Sequence, residues 1–130
     1  MSLLEVNNIH TYYGKIHALK GLSIAVEQGQ IVTLIGANGA GKTTTMRMLT
    51  GFLPPTSGKA KVAGYDVFDQ SMEVRKRVGY LPESVPLYRD MTALAYLMYM
   101  GEIRGLPNRR AKALEALERV ALVDRANSRI

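Results

Sequence analysis

The chain has 130 residues, of which 47% are apolar and 22% are charged, and its formal net charge is +6. This length suits one globular domain that needs no covalent staples, and the lack of cysteine excludes a disulfide framework and a cysteine metal site. The positive charge suits a polyanionic ligand, a nucleic acid or an anionic membrane surface, and it fits solubility alone equally well. The longest uncharged apolar stretch, residues 91–101, is too short to span a bilayer. The first residues lack the pattern of a signal peptide, so we expect none.

Alternating apolar side chains predict the first strands. Residues 4–13 are expected to form an edge strand with an irregularity at Asn7 and Asn8, and residues 22–26 a second strand. Residues 31–35 read Ile-Val-Thr-Leu-Ile, a short run rich in β-branched side chains that predicts a buried strand. A turn at Gln28 and Gly29 separates the second strand from this third one.

The next stretch, residues 36–43, fits the pattern G-x-x-x-x-G-K-[ST]. Its glycines let the backbone curl until the N–H groups point inward, towards the positive end of the helix predicted over residues 44–49. In such a loop Lys42 reaches the terminal phosphates of a nucleotide, and the Thr43 hydroxyl binds Mg²⁺. The strand, loop and helix order favours a phosphate site over the alternative, a glycine-rich turn with an incidental lysine.

The remaining pattern divides the chain into a sheet-forming part and a helical part. Thr92 is the expected N-cap of the first helix of the helical part, and Pro82 ends the last strand before it. Residues 121–124 are expected to continue the final helix. The predicted elements are a strand at 59–63, a helical segment at 70–77, a buried strand at 78–81, and helices at 92–103 and 109–120.

With these motifs in place, the sequence resembles the ATP-binding domain of ABC transporters along all 130 residues. The loop Gly-Ala-Asn-Gly-Ala-Gly-Lys-Thr-Thr is the family's own form, and Tyr13-Gly14 stands where the family keeps an aromatic that stacks on adenine. Residues 78–83, Val-Gly-Tyr-Leu-Pro-Glu, resemble the strand that leads into the Q-loop. Residues 4–45 resemble ATPases of branched-chain amino-acid importers, and the remainder resembles ATPases of ABC-2 type exporters.

The resemblance implies an α/β fold of the P-loop NTPase class, with a mixed sheet around the Walker A loop and a helical subdomain after it. Residues 1–83 are then the nucleotide-binding core, and residues 84–130 are part of the α-helical subdomain. The signature motif, the Walker B aspartate with its glutamate, and the switch histidine do not occur in the sequence. We therefore expect a truncated domain, whether a fragment, a chimera or a reconstruction.

The same resemblance implies site residues. Thr43 and Glu83, the residue at the Q-loop position, are the expected ligands of Mg²⁺, and Lys42 is expected to stabilise charge on the phosphates. A plain loop role for Glu83 and a sheet role for Tyr13 remain the alternatives, while Tyr12 is expected to be structural. The residues expected to contact ATP are Tyr13, Gly36, Ala37, Asn38, Gly39, Ala40, Gly41, Lys42, Thr43 and Thr44.

The implied function is that of an ABC transporter ATP-binding subunit, which binds ATP with Mg²⁺ and drives transport. Its expected partners are a transmembrane permease subunit, contacted through the helical subdomain and the Q-loop region, and a second ATPase subunit. We expect a cytoplasmic protein at the inner face of the cell membrane and no nucleic-acid partner. A nucleotide-binding module without turnover and another P-loop kinase or NTPase are the alternatives. His10 and His17 have no ligand-spaced partners in the sequence and are expected to be ordinary strand or surface residues.

Overall fold

The computed structural model describes residues 2–130. The chain forms two compact units, one ending at Leu81 and the other comprising Pro82–Ile130. The first unit contains a sheet with two helices, and the second is helical. Each unit has its own hydrophobic cluster.

The sheet of the first unit has four strands, β1 (Ser2–Tyr13), β2 (Ile16–Glu27), β3 (Ser57–Val62) and β4 (Tyr65–Asp66). Their order is β2-β1-β3-β4, and all three pairings are antiparallel. The sheet therefore differs from the expected mixed sheet. The prediction that β1 is an edge strand is also wrong, because β1 lies between β2 and β3. Alternation of apolar side chains indicates which face of a strand is buried, but it does not indicate how many strands pair with it.

The irregularity predicted in β1 is confirmed. The register with β2 shifts between Val6 and Ile9, and Asn8 adopts a φ of 46°. Asparagine tolerates this left-handed conformation better than most residues. The shift lets Val6 and Ile9, three positions apart, both lie in the core at 3% and 0% exposure.

Two helices pack on this sheet, α1 (Lys42–Leu49) and α2 (Ser71–Arg77). Met48 of α1 and Val74 of α2 are fully buried and join the apolar face of the sheet. Burying such side chains contributes roughly 1.5–3 kcal/mol each. The buried members of this cluster are Val6, Ile9, Leu19, Met48, Ala60, Val67 and Val74.

A network of charges covers α2. Lys76 and Arg77 each lie 2.7 Å from a carboxylate oxygen of Glu73, and the Arg77 guanidinium stands 4.1 Å from the centre of the Tyr65 ring. The hydrogen bonds from Lys76 and then Arg77 hold the pKa of Glu73 below its usual range. Lys76 and Arg77, two of the three consecutive basic residues of α2, thus form ion pairs within the helix itself.

Two predicted strands do not form. Residues 31–35 and 78–81 have no regular secondary structure, and no strand among the described residues pairs with them. Ile31, Ile35 and Leu81 are 97%, 87% and 82% exposed, so these segments are not buried either. An apolar run becomes a strand only where a neighbour satisfies its backbone N–H and C=O groups, and the described part of the chain supplies none.

The second unit contains α3 (Ala93–Ile103), α4 (Arg109–Arg119) and a short 3₁₀ turn at Val123–Arg125. Residues 121–124 do not continue α4, which corrects that prediction. Ala121 adopts a φ of 55°, and this left-handed conformation interrupts the helix. The unit's core is formed by Leu94, Ala113, Leu117 and Ala126.

The predicted cap of α3 is confirmed, because the Thr92 side chain accepts a hydrogen bond from Ala95 N–H at 3.2 Å. We expect Thr92→Ala to lower the free energy of unfolding by about 1 kcal/mol, the usual worth of such a cap. Urea denaturation measures the change. Thr92→Ser keeps a hydroxyl at the same place and should recover most of the loss, and equal stability of the alanine variant and the wild type would contradict the assignment.

Candidate functional site

The phosphate loop occupies residues 36–41 and leads directly into α1. Gly39 and Gly41 have φ values of 83° and 90°, which side chains other than glycine rarely adopt. Ala40 N–H donates to Ala37 C=O at 3.1 Å and closes a tight turn between them. A Cβ atom at Gly36 would lie 2.9 Å from Ala40 Cβ. The sequence motif thus corresponds to a loop that needs glycine at each of its three glycine positions.

The loop lies close to the β1–β2 hairpin. A Cβ atom on Gly41 would lie 2.7 Å from Leu19 Cδ2 and 3.0 Å from the backbone oxygen of Ala18, both on β2. Glycine therefore allows the start of α1 to approach the strand more closely than any other residue would. This contact fixes the position of the loop relative to the sheet.

Lys42 is the first residue of α1, and its side chain folds back over the loop. The Nζ atom donates to Gly36 C=O and lies 3.3 Å from Ala37 C=O. The ammonium group is thus held against two carbonyl oxygens of the loop, close to the start of α1. Lysine in this motif supplies a point charge for the terminal phosphates.

The N-terminus of α1 has no competing acceptor. Its cap residue, Gly41, provides no side chain, and in the described part of the chain the first turn carries no acidic residue. The first amides of a helix have no intrahelical acceptor, and the helix dipole makes this end positive. The end of α1 is therefore free to bind an anion through its backbone.

Two threonines of α1 differ in exposure and in hydrogen bonding. Thr43, in the first turn, is exposed, so its hydroxyl is available to a metal ion. Thr45 is buried at 2% exposure and its hydroxyl donates to Gly41 C=O at 2.9 Å. Thr45 was not predicted as a site residue. Threonine in a helix often donates its hydroxyl to the carbonyl four residues earlier, and this tendency could have identified it. Thr44 is half-buried between them.

Tyr13 is the last residue of β1, and its side chain is 40% exposed. It pairs with Ile16 across a two-residue turn in which Gly14 has a φ of 57°. Side chains two apart on a strand share a face, so Tyr13 lies on the same face as Thr11. Thr11 pairs with Leu19, the residue that approaches the phosphate loop.

Glu83 lies in a bend after Pro82 and is exposed. It belongs to the second unit, whereas the phosphate loop belongs to the first. Within residues 2–130 no group of three or more histidine, aspartate or glutamate side chains could hold a metal ion. Magnesium in proteins commonly keeps several water ligands and takes others from phosphate, so the Thr43 hydroxyl is compatible with such a site.

The structure brings together two residues that sequence reasoning treated as ordinary. His10 Nδ1 lies 2.9 Å from His17 Nε2, and the His17 ring stacks on Tyr12 with centroids 4.1 Å apart. The pairing of His17 with Tyr12 follows from the hairpin register, which the length of the turn sets. Placing the turn at residues 14 and 15 would have been enough to predict this contact.

Comparisons with known proteins agree with this geometry. A protein-family model described as ABC transporter matches residues 19–130. The chain is 38% identical over 130 residues to the linearmycin resistance ATP-binding protein LnrL of Bacillus subtilis (strain 168), covering 98% of this chain and 42% of that protein. It is 37% identical over 114 residues to the human phospholipid-transporting ATPase ABCA3, covering 86% of this chain and 7% of that protein.

Solved structures give the same result. The ATP-binding subunit of an ABC transporter matches with a TM-score of 0.83 and 30% identity, covering 98% of this chain and 54% of that one. An ATP-binding cassette of an ABC transporter in its ADP conformation matches with a TM-score of 0.80 and 28% identity, covering 99% of this chain and 57% of that one. The chain spans about half the length of these structures, and less than half of the curated relatives above.

The chain therefore belongs to the ABC transporter family, in the part that carries the ATP-binding domain. The predicted family and the α/β fold of the P-loop NTPase class are confirmed. No helix of the described residues is long and apolar enough to cross a membrane.

Proposed function

We propose that this chain binds ATP with Mg²⁺ at the loop of residues 36–43, as the nucleotide-binding part of an ABC transporter ATPase. The observation that supports this most is the combined geometry of the loop and α1. The loop has left-handed glycines, the Lys42 ammonium contacts its Gly36 carbonyl, and α1 begins directly after it with no acidic residue in the first turn. We assign residues 1–83 to the nucleotide-binding core and residues 84–130 to part of the helical subdomain.

The proposed contacts follow the chemistry of the groups present. Backbone amides of residues 36–44 donate to the phosphate oxygens, Lys42 neutralises charge on the terminal phosphates, and the Thr43 hydroxyl joins the magnesium shell. Tyr13 stacks on the base. Glu83 can offer a carboxylate oxygen to the metal, but it cannot donate a hydrogen bond as glutamine would.

The magnitudes support binding by this chain alone. Hydrogen bonds to charged groups contribute about 1.5–3 kcal/mol each, and stacking a base on an aromatic ring adds about 1–3 kcal/mol. Four or five phosphate contacts with stacking amount to about 7–18 kcal/mol, before an association cost of about 4–15 kcal/mol. A net gain of about 4–8 kcal/mol lies within this range and corresponds to a dissociation constant between millimolar and micromolar.

Hydrolysis and transport are proposed for the whole protein. Thr43 would hold magnesium, which would stabilise charge on the β- and γ-phosphates, and turnover further needs a group that orients the attacking water. The proposed partners are a permease subunit, which meets the helical subdomain and the region of Glu83, and a second ATPase subunit. Such a complex places the chain at the cytoplasmic face of the membrane.

Calorimetric titration with ATP, with and without Mg²⁺, tests the proposal, and a separate assay of phosphate release distinguishes binding from turnover. Binding that strengthens with Mg²⁺ is the expected result. Binding with no phosphate release would identify a nucleotide-binding module. Failure to bind either ATP or inorganic triphosphate would overturn the proposed site.

Tyr13→Ala tests the base contact. We expect it to weaken ATP and ADP about 5- to 100-fold, the equivalent of one stacked base, and to leave triphosphate binding unchanged. Tyr13→Trp preserves a stacking surface and should bind ATP like the wild type. A comparable loss of triphosphate binding in the alanine variant would show that Tyr13 only supports the sheet.

A further inference from the structure

We propose that the outer face of the β1–β2 hairpin positions Tyr13 for the nucleotide base, through a row of four side chains in contact with one another. From the hairpin tip inward the four are Tyr12, His17, His10 and Asn8, and we call them the outer row. The inference rests on the proposed role of Tyr13 as the base platform. It adds the contacts that hold that platform in place.

The tip of the hairpin depends on such support because it projects past the third strand. The pairing of β1 with β3 extends no further towards the tip than His10, so residues 11–13 have only β2 as a strand neighbour. A two-stranded ribbon is marginally stable by itself. One hydrogen bond from Tyr12 N–H to Thr56 Oγ1, at 3.1 Å, ties the ribbon to the segment before β3. Side-chain contacts across the ribbon therefore have a direct effect on the orientation of the tip.

The outer row makes three consecutive contacts along the ribbon. Tyr12 and His17 are direct cross-strand partners whose rings are 4.1 Å apart and nearly parallel, at 7°. His10 Nδ1 then lies 2.9 Å from His17 Nε2, with the two ring centroids 5.1 Å apart, so these rings are joined in line through their nitrogens. His10 Nε2 lies 3.3 Å from Asn8 Oδ1. The row thus connects the tip to the three-stranded part of the sheet.

The partners fix where the protons lie. Asn8 Oδ1 only accepts hydrogen bonds, so His10 carries its proton on Nε2 and donates there. A neutral His10 then has Nδ1 free as an acceptor, and His17 Nε2–H donates to it. The contact therefore has its donor on His17 and its acceptor on His10.

Tyr12 and Tyr13 are adjacent on β1, and their side chains project to opposite faces. Holding the Tyr12 ring fixes the backbone that directs Tyr13, so the outer row reduces the freedom that base binding would otherwise have to remove. A cross-strand aromatic contact of this kind changes an equilibrium about two- to tenfold. This is the expected size of the effect on ATP affinity.

The experiment measures dissociation constants for ATP and for inorganic triphosphate by calorimetry in the wild type, His17→Ala and Tyr13→Ala. At about pH 7.5 we expect His17→Ala to weaken ATP about two- to tenfold and to leave triphosphate unchanged.

His10→Asn is the conservative control for the row. The asparagine carbonyl oxygen takes the place of Nδ1 and accepts from His17 Nε2–H. We expect this variant to bind ATP like the wild type. A loss of ATP affinity equal to that of His17→Ala would contradict the role of the His10–His17 contact in positioning Tyr13.

The Tyr13→Ala arm distinguishes failure of this inference from failure of the proposed base contact. If Tyr13→Ala weakens ATP alone and His17→Ala has no effect on ATP, the base platform stands and the positioning row is wrong. If His17→Ala weakens triphosphate as much as ATP, its role is structural and the inference is again wrong. If Tyr13→Ala itself has no effect on ATP, the proposed platform fails, and the inference fails with it.

Discussion

Lys42→Ala is expected to weaken ATP and inorganic triphosphate alike by about 10- to 100-fold. The substitution removes one charged contact to the phosphates, and such a contact contributes about 1.5–3 kcal/mol. The ammonium already lies over the loop, against Gly36 C=O and Ala37 C=O, so little ordering of the side chain is needed when a phosphate binds. Titration calorimetry with both ligands measures the loss.

Lys59→Ala is a matched control, because it removes the same charge from an exposed position on β3. If general electrostatic attraction to a positively charged chain caused the binding, both variants would weaken it equally. We expect Lys59→Ala to change affinity less than about twofold at moderate salt, where charges beyond the Debye length are screened. Equal ATP affinity of Lys42→Ala and the wild type would contradict the proposed site.

The phosphate loop was predictable because its chemistry is local. The geometry of the eight residues of this loop requires left-handed glycines, a lysine at the first helical position and a threonine after it. The observed φ values at Gly39 and Gly41 are those that the motif demands. The Thr92 cap was predictable for the same reason, since the hydroxyl and the Ala95 amide that it accepts from are three residues apart.

The strands predicted at residues 31–35 and 78–81 show the limit of such local reasoning. Their apolar, β-branched composition is typical of buried strands, yet burial and backbone pairing depend on neighbours that a periodicity does not contain. Ile31 and Leu81 are almost fully exposed within the described chain. The interior position of β1 was missed for a related reason, because its second partner, β3, follows more than forty residues later.

The histidine pair is an intermediate case. His10 and His17 are seven residues apart, and only the turn at Gly14 and Lys15 brings them together. Residues that face each other across a hairpin have no constant separation in sequence, because the separation grows with distance from the turn. A search for the fixed spacing of metal ligands therefore does not find this pair. Once the turn is located, the contact of His17 with Tyr12 follows from the register.

Gly41→Ala is expected to have the largest effect on the loop itself. The φ of 90° disfavours any Cβ, and the added atom would lie 2.7 Å from Leu19 Cδ2 and 3.0 Å from Ala18 C=O. Leu19 can rotate away, but the backbone oxygen cannot move without shifting β2. We expect the free energy of unfolding to fall by about 2–4 kcal/mol, combining backbone strain and overpacking. Triphosphate binding should fall at least about tenfold, because the displaced α1 no longer directs its amides into the loop.

Gly79→Ala is the control for this substitution. Gly79 does not have a left-handed φ, and a Cβ atom there would meet no heavy atom within 4 Å. Adding the same methyl group at this position should change the free energy of unfolding by no more than about 0.5 kcal/mol. It should leave the affinity for triphosphate unchanged. Urea denaturation and calorimetry of the two variants together separate the requirement for glycine at the phosphate loop from the general effect of replacing a glycine. Wild-type binding by a folded Gly41→Ala chain would show that the approach of α1 to β2 is not what forms the anion site.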